Sequence, residues 1–326
     1  MAPEIIDIRQ FEARAFQPLL QEESRVWLEN LRWDYAASSE IISSCLDEKR
    51  LSGYALVGQT GIRGYSFFFY EGDKGLIGNL FVQSADDSGA QSTHSLLSHV
   101  LETILATPGI RRVETQLPHY PFEELEGIFR KWGFEAYKRR FMAVPLLPWA
   151  GDEAPPVPAG FNLVPWERKH DRQAAELLFA TYRNHTDGLI NDQYCSPAGA
   201  ERLIENIVQH RGSGEHLPQG SQVAIHLSSG KLAGILALTS VRPKTAHIPQ
   251  VAIAREFQGC GLGSAMIKAS FHALLARKFE EVTLTVTESN SGAVRLYERM
   301  GFRTFRTFGA FVWEQKGQDS EHLTAS

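Results

Sequence analysis

The feature that most limits how this chain can fold is a stretch it spells twice. Residues 125–134 read LEGIFRKWGF and residues 293–302 read AVRLYERMGF. Each is a short helical pattern, then a Gly suited to a left-handed C-cap, then a Phe that opens a strand. The elements before them run in the same order. Ile267, Phe271, Leu274 and Leu275 mark one face of a helix, and Val282, Leu284 and Val286 alternate with threonines as a strand. In the first half Leu97, Val100, Leu101, Ile104 and Leu105 mark the equivalent helix, with Val113, Thr115 and Leu117 as its strand. Both helices follow a strand-like segment, Leu76 to Val82 and Val251 to Ala254. Two copies of one pattern call for two similar cores.

Residues 145–158, PLLPWAGDEAPPVP, carry five prolines that resist helix and central strand alike. The expected division is a first domain over 1–148, a Pro-rich linker over 149–159, a second domain over 160–316 and a polar tail over 317–326. Two domains also suit a chain of 326 residues. In the second half the patterning predicts strand Phe161 to Trp166, helices Asp171 to Arg183 and Ala198 to His210, and strands Gln222 to Leu227, Leu232 to Val241 and His247 to Ala254. A helix from near Ala265, a strand, a further helix and a final pair of strands across Arg303 to Glu314 complete it. The fold class is therefore α/β (α+β), each domain a mixed, mostly antiparallel sheet flanked by helices.

Apolar residues at 43% and charged residues at 22% are globular proportions, which excludes a disordered, collagen-like or coiled-coil chain. A net charge of −5 with no run of like charge beyond three residues argues against a nucleic-acid partner. No apolar stretch approaches the roughly 20 residues of a membrane span, and Met1 to Gln10, with Glu4, Asp7 and Arg9, has no apolar core for a leader. Cys45, Cys195 and Cys260 are odd in number and far apart, so neither a disulfide framework nor a metal site is expected. A cytoplasmic location without membrane partners follows as the expectation.

Chemistry points to one turn. The strand VAIA at 251–254 runs through REF into Gln258-Gly259-Cys260-Gly261-Leu262-Gly263-Ser264, immediately before a helix. A Gly-rich strand-to-helix turn offers backbone N–H groups and a positive helix end to a phosphate. No Gly-Lys-Ser/Thr exists in the chain, which excludes a P-loop. A dinucleotide fingerprint from Gly259 and Gly261 would have Ser264 in its third Gly place, and Val286 and Thr287 stand where it needs an acid.

The pattern [QR]-x-x-G-x-[GA] is met by Gln258, Gly261 and Gly263, and Asn290 to Phe302 reads NSGAVRLYERMGF. With these two motifs in order the sequence resembles the GNAT superfamily of acetyl-CoA-dependent N-acetyltransferases. The likeness is strongest over residues 220–315, and in the layout of its halves the chain resembles tandem-GNAT proteins. The resemblance implies that the turn grips the CoA pyrophosphate through Gln258 to Ser264. It further implies that backbone N–H groups of Val251, Ala252 and Ile253 meet the thioester carbonyl and pantetheine arm, that Asn290 adds a CoA contact, and that acetyl-CoA is the co-substrate. The partner implied is a small-molecule or peptide amine acceptor.

Acetyl transfer to an amine needs a neutral amine, a stabilised oxyanion and a proton for the departing thiolate. Tyr297 matches the signature tyrosine and, with an ordinary pKa of about 10, stays protonated at neutral pH. It also falls on the stripe Ala293, Leu296, Tyr297 and Met300, so packed core is the competing reading. Asn290 suits a helix N-cap under either reading. Counting back from Gln258 places His247 where many members of the family carry a base, in phase with Val251 and Ile253 on one strand face; a satisfied structural histidine is the alternative. His185 and Asp187, within RNHTDG, are further candidates in a region that usually borders the acceptor, although the segment also reads as a turn.

The first half lacks the turn. Between Val82 and Leu96 it reads QSADDSGAQSTHS, with Asp86 and Asp87 set to repel a pyrophosphate, and its tyrosine position is Phe129. It is a degenerate repeat. The expected function is acetyl transfer from acetyl-CoA to a primary amine; the alternative is a non-catalytic acyl-CoA sensor or partner-binding protein that keeps the fold.

Overall fold

The computed structural model describes residues 3–83, 89–151, 156–210 and 213–315. Asp86 and Asp87, residues 152–155 of the Pro-rich segment and the 317–326 tail lie outside the described residues. The first half runs β1 (Glu4–Asp7), α1 (Ala13–Leu31), α2 (Ala36–Asp47), β2 (Ser52–Gly58), β3 (Gly61–Glu71), β4 (Lys74–Val82), α3 (Gly89–Leu105), β5 (Arg112–Gln116), α4 (Phe122–Lys131) and β6 (Glu135–Pro145). The second runs β7 (Phe161–Pro165), α5 (Asp171–Tyr182), α6 (Thr186–Ile190), α7 (Pro197–Gln209), β8 (Glu215–His216), β9 (Gln222–His226), β10 (Leu232–Arg242), β11 (Thr245–Ile253), α8 (Leu262–Leu275), β12 (Glu281–Thr287), α9 (Ser291–Arg299) and β13 (Arg303–Glu314).

These elements fall into two compact units that do not follow the two halves. One comprises 1–26, 38–137 and 308–326; the other comprises 27–37 and 138–307. The first unit's sheet runs β1-β2-β3-β4-β5 and ends on the last residues of β13, with Ala310 to Glu314 antiparallel to Gln116 to Arg112. The second unit's sheet runs β12-β11-β10-β9-β7 and takes β6 from the first half, with Arg139 to Pro145 antiparallel to Thr287 to Glu281. Each repeat thus sends its closing strand into the other repeat's sheet.

The duplicated sequence explains where this begins. At the end of α4, Gly133 takes φ 82° and the Phe134 N–H returns to the Phe129 carbonyl at 3.0 Å. At the end of α9, Gly301 takes φ 83° and the Phe302 N–H returns to the Tyr297 carbonyl at 3.0 Å. This C-cap needs a residue free to adopt positive φ, which is why Gly precedes Phe in both copies. The strand that follows is long each time. The final pair of strands expected across 303–314 is one continuous strand instead. Gly309 makes no turn there: a Cβ on it would lie 2.1 Å from the Phe311 ring, so the glycine serves close packing. Phe311 in turn stacks on Phe129 at 3.9 Å inside the first unit's core.

Both sheets are antiparallel except at one pair each, β4/β5 and β11/β12. In the second unit, one face of the sheet packs under α8 and α9 through Met266, Ile267, Phe271, Leu274 and Tyr297, and the other under α5 and α7 through Ala174, Leu178, Ile204 and Ile207. No helix among the described residues is long and apolar enough to cross a membrane.

Candidate functional site

The parallel pair of the second unit sets the site. β11 and β12 are in register from Thr245/Glu281 to Ile248/Leu284, and beyond that the ladder stops while both strands continue. A bulge helps to part them. β10 pairs Ala237 with Gln250 but Thr239 with His247, which leaves Pro249, a residue without an N–H, inside the irregular stretch. Past the bulge the Ala254 N–H reaches Ala233 on β10 at 2.8 Å. Since alternate residues of a strand face opposite edges, Ala252 also turns its N–H to β10, whereas Val251 and Ile253 face the gap. Ala252, expected among the CoA contacts, is thus directed into the sheet and is only 4% exposed.

The glycine turn continues from this opening. Gly259 and Gly261 take φ 81° and 87°, and Gly261 is the N-cap of α8 with no side-chain cap. The first N–H groups of α8 are therefore not capped by the Gly261 side. Gln258 to Gly261 are exposed, with Leu262 buried beneath them and Gly263 and Ser264 partly covered. The Gln258 side chain donates to the Ile253 carbonyl at 3.0 Å, and Cys260 Sγ lies 3.0 Å from the Phe257 carbonyl. Both side chains brace the turn, leaving its backbone as the anion-facing surface.

On α9, Asn290 caps the helix by accepting from the Ala293 N–H at 3.2 Å. Tyr297 is 6% exposed and packs edge-on to Phe302. Burial, followed by the charge of Asp187, raises its pKa, so it holds its proton throughout the neutral range. It belongs to the apolar core as well, so packing and chemistry share this residue.

His247 lies elsewhere than the alternation predicted. Ala246 and Ile248 share the α8 side of the sheet with Val251 and Ile253, because the bulge inserts a residue and reverses the phase. His247 faces the other way. It pairs with Thr283 across the ladder, its Nδ1 lies 2.9 Å from Thr283 Oγ1, and Trp33 and Phe141 pack on it at 5.1 and 5.8 Å. Burial, with the positive charge of Arg139, pushes its pKa down to about 3. Nothing in the sequence near His247 signals Trp33, which arrives from the segment 27–37.

Asp187 and His185, secondary in the sequence reading, come to the end of β12. Thr287 Oγ1 donates to Asp187 Oδ1 at 2.5 Å, and His185 Nδ1 lies 3.4 Å from Oδ2 while accepting the Asp187 N–H at 3.1 Å. Burial pushes the Asp187 carboxyl up, but the contact with His185, the charge of Arg139 and the Thr287 hydrogen bond outweigh it and leave the carboxyl below its ordinary range. Sequence reasoning missed Tyr182, Tyr194 and Gln250. Tyr182 donates to the Val251 carbonyl at 2.8 Å and Tyr194 to Gln250 Oε1 at 2.7 Å. The only signal for the tyrosines was their placement on either side of RNHTDG.

Comparison with known proteins bears on the family and the fold. Residues 189–302 match the model of the acetyltransferase (GNAT) family. The second unit carries a GNAT acetyltransferase domain. Over 83 residues the chain is 36% identical to an N-alpha-acetyltransferase of Sulfurisphaera tokodaii, covering 25% of this chain and 48% of that protein. Over 120 residues it is 29% identical to a mycothiol acetyltransferase of Thermobifida fusca, covering 34% and 37%. The matches thus span less than half the length of these curated relatives. Among solved structures, a GCN5-related N-acetyltransferase from Sphaerobacter thermophilus superposes with TM-score 0.63 at 17% identity, over 96% of this chain and 97% of that one. A tandem GNAT protein from the clavulanic acid biosynthesis pathway gives TM-score 0.59 at 16% identity, over 97% and 100%. The GNAT fold therefore extends beyond the domain recognised in sequence.

Proposed function

We propose that the chain transfers an acetyl group from acetyl-CoA to a primary amine, at one site in the second unit. The observation that carries this reading is the continuous run from the parted β11/β12 pair, with Val251 and Ile253 facing the gap, to the Gly261-capped start of α8. The N–H groups of Gly259 to Ser264 hold the pyrophosphate at a helix end that favours negative charge. Val251 and Ile253 donate to the pantetheine arm and to the thioester oxygen as it becomes an oxyanion. Tyr297 gives its proton to the departing thiolate. Its hydroxyl has no hydrogen-bond partner among the described residues, and the burial that retains the proton also disfavours a free thiolate beside it. Asn290 serves this site by starting α9 in the right place. His247, buried and walled by Trp33 and Phe141, holds β11 against β12 through Thr283; the amine loses its proton to water.

A thiol-release assay with acetyl-CoA and a panel of amines tests the reading. Tyr297→Phe keeps the ring in the core and removes only the hydroxyl, so turnover falls by about 10²-fold while acetyl-CoA affinity stays within about twofold. A chain that binds acetyl-CoA and releases thiol with no amine is a sensor, and the transfer reading is then wrong.

A further inference from the structure

Two tyrosines that the transfer steps above do not use stand beside the acyl end of β11. Tyr182 and Tyr194 stack at 4.7 Å with an interplanar angle of 23°, and the Tyr182 ring meets the edge of His185 at 5.2 Å. Both hydroxyls are fixed to consecutive residues of the strand that would hold the thioester, Val251 and Gln250. Burial raises both phenols, with the neighbouring Tyr194 and Asp187 adding to the effect on Tyr182 and Asp187 adding to that on Tyr194. They remain neutral.

Asp187 reaches the same place from α6, and its carboxyl is 16% exposed. The titratable and charged groups that act on it are His185 before α6, Arg139 on β6, and the phenols of Tyr182, Tyr194 and Tyr297. Arg139 is itself tied to β12 through Thr285 Oγ1 at 3.3 Å. At neutral pH this wall offers the Asp187 carboxylate, held ionised by His185 and by the Arg139 guanidinium, among tyrosine rings and an amide. That combination suits an ammonium, which gains from the carboxylate and from the negative face of an aromatic ring.

We infer that Asp187, Tyr182 and Tyr194 bind the acceptor's ammonium group, and that the acceptor is a primary alkylammonium on a neutral or cationic stem rather than an acidic or aryl amine. The inference rests on the acetyl transfer proposed above. It carries a kinetic signature. A carboxylate beside the ammonium favours the protonated form, so the bound amine sheds its proton at higher pH than it otherwise would. The rate therefore rises with pH along a limb that belongs to the amine, and removing the Asp187 charge moves that limb to lower pH. Thr287 is a positioning residue, since its hydroxyl aims the carboxylate without meeting the acceptor.

The test uses the intact chain with acetyl-CoA and four amines: n-butylamine, 1,4-diaminobutane, L-glutamate and aniline. The expected order places kcat/KM for the two alkylamines at least about tenfold above glutamate and aniline. Asp187→Asn raises KM for n-butylamine by about tenfold and shifts the acidic limb to lower pH, while KM for aniline, which carries no ammonium, changes by less than about threefold. Thr287→Val gives part of the KM effect and Thr287→Ser restores it. Brisk thiol release with glutamate or aniline preferred overturns the inference and leaves the transfer reading standing, as does an Asp187→Asn enzyme with unaltered KM and limb. Binding of acetyl-CoA without thiol release from any of the four overturns both. Should Asp187→Asn fail to fold, the order of amines with the unaltered chain decides.

Discussion

The two units part the same pair of strands and fill the gap in opposite ways. In the first, β4 and β5 are in register from Lys74/Arg112 to Ile77/Thr115 and then diverge. The Tyr120 hydroxyl enters this opening and accepts the Val82 N–H at 3.2 Å. Behind it lies a buried polar cluster in which Glu23 accepts from Tyr65 at 2.6 Å and Asn79 at 2.9 Å, with His119 Nε2 at 3.5 Å. In the second unit the corresponding amides face a gap that leads to a glycine turn, and a tyrosine takes the place of Phe129. A parted parallel pair is therefore not a site by itself. It becomes one where side chains leave the backbone donors uncommitted and a helix start follows without a cap.

The sharpest way to break the comparison is to treat the halves as independent. Residues 160–326 alone lack β6 and Trp33, which bares the β12 edge with Val282, Leu284 and Val286 and uncovers His247. That fragment is expected to be insoluble, and to be recovered in solution when residues 1–158 are produced beside it. Soluble, cooperatively folded 160–326 would show that the exchanged strand is dispensable.

A smaller effect concerns His247. Its folded pKa of about 3 lies below the unfolded value of about 6.5, so the unfolded chain takes up the proton first as pH falls. Stability is full above about pH 6.5 and declines toward pH 3, by about 3 kcal/mol at pH 4 from this residue alone. His247→Gln should flatten that part of the stability profile from denaturant melts, and an unchanged slope would remove His247 as its source.

Smaller again is the effect of charge at the turn. A Cβ on Gly263 meets Ile253 and Leu296 at ordinary contact distances of 3.7 and 3.8 Å. Gly263→Asp therefore folds and sets a carboxylate against the pyrophosphate, weakening acetyl-CoA about tenfold by calorimetry. The same titration should show one site per chain; two equal sites would erase the distinction between the units. The least effect on the glycine turn belongs to Tyr120→Phe, which leaves the Val82 N–H without its buried acceptor. It should cost about 1–2 kcal/mol of stability and leave acetyl-CoA affinity unchanged.

What is legible in the sequence is whatever is local. The Gly-Phe caps, the Asn290 cap and the order of strands and helices all follow from neighbours in sequence, and the observed elements from Phe161 to Thr287 keep their expected order. Registers and exchanges are not local. The bulge that turns His247 away from Val251 depends on how β10 pairs, and Pro249 alone does not reveal it. The Pro-rich segment suggested a boundary, yet the compact units are set by where β6 and β13 find partners. The acceptor wall shares the difficulty, because Asp187 and Thr287 are distant in sequence and meet only through the sheet.

The crossing of the closing strands also orders events during synthesis. Phe311, fully buried against Phe129, leaves the ribosome well after the α3 and α4 residues whose core it completes. The first unit must wait, with an edge of β5 open, until β13 is made. β6, by contrast, is already present when β12 emerges. The second unit can thus close before the first, and a chain truncated after Thr307 would keep the glycine turn with α8 and α9 and lose the last strand of the first unit's sheet.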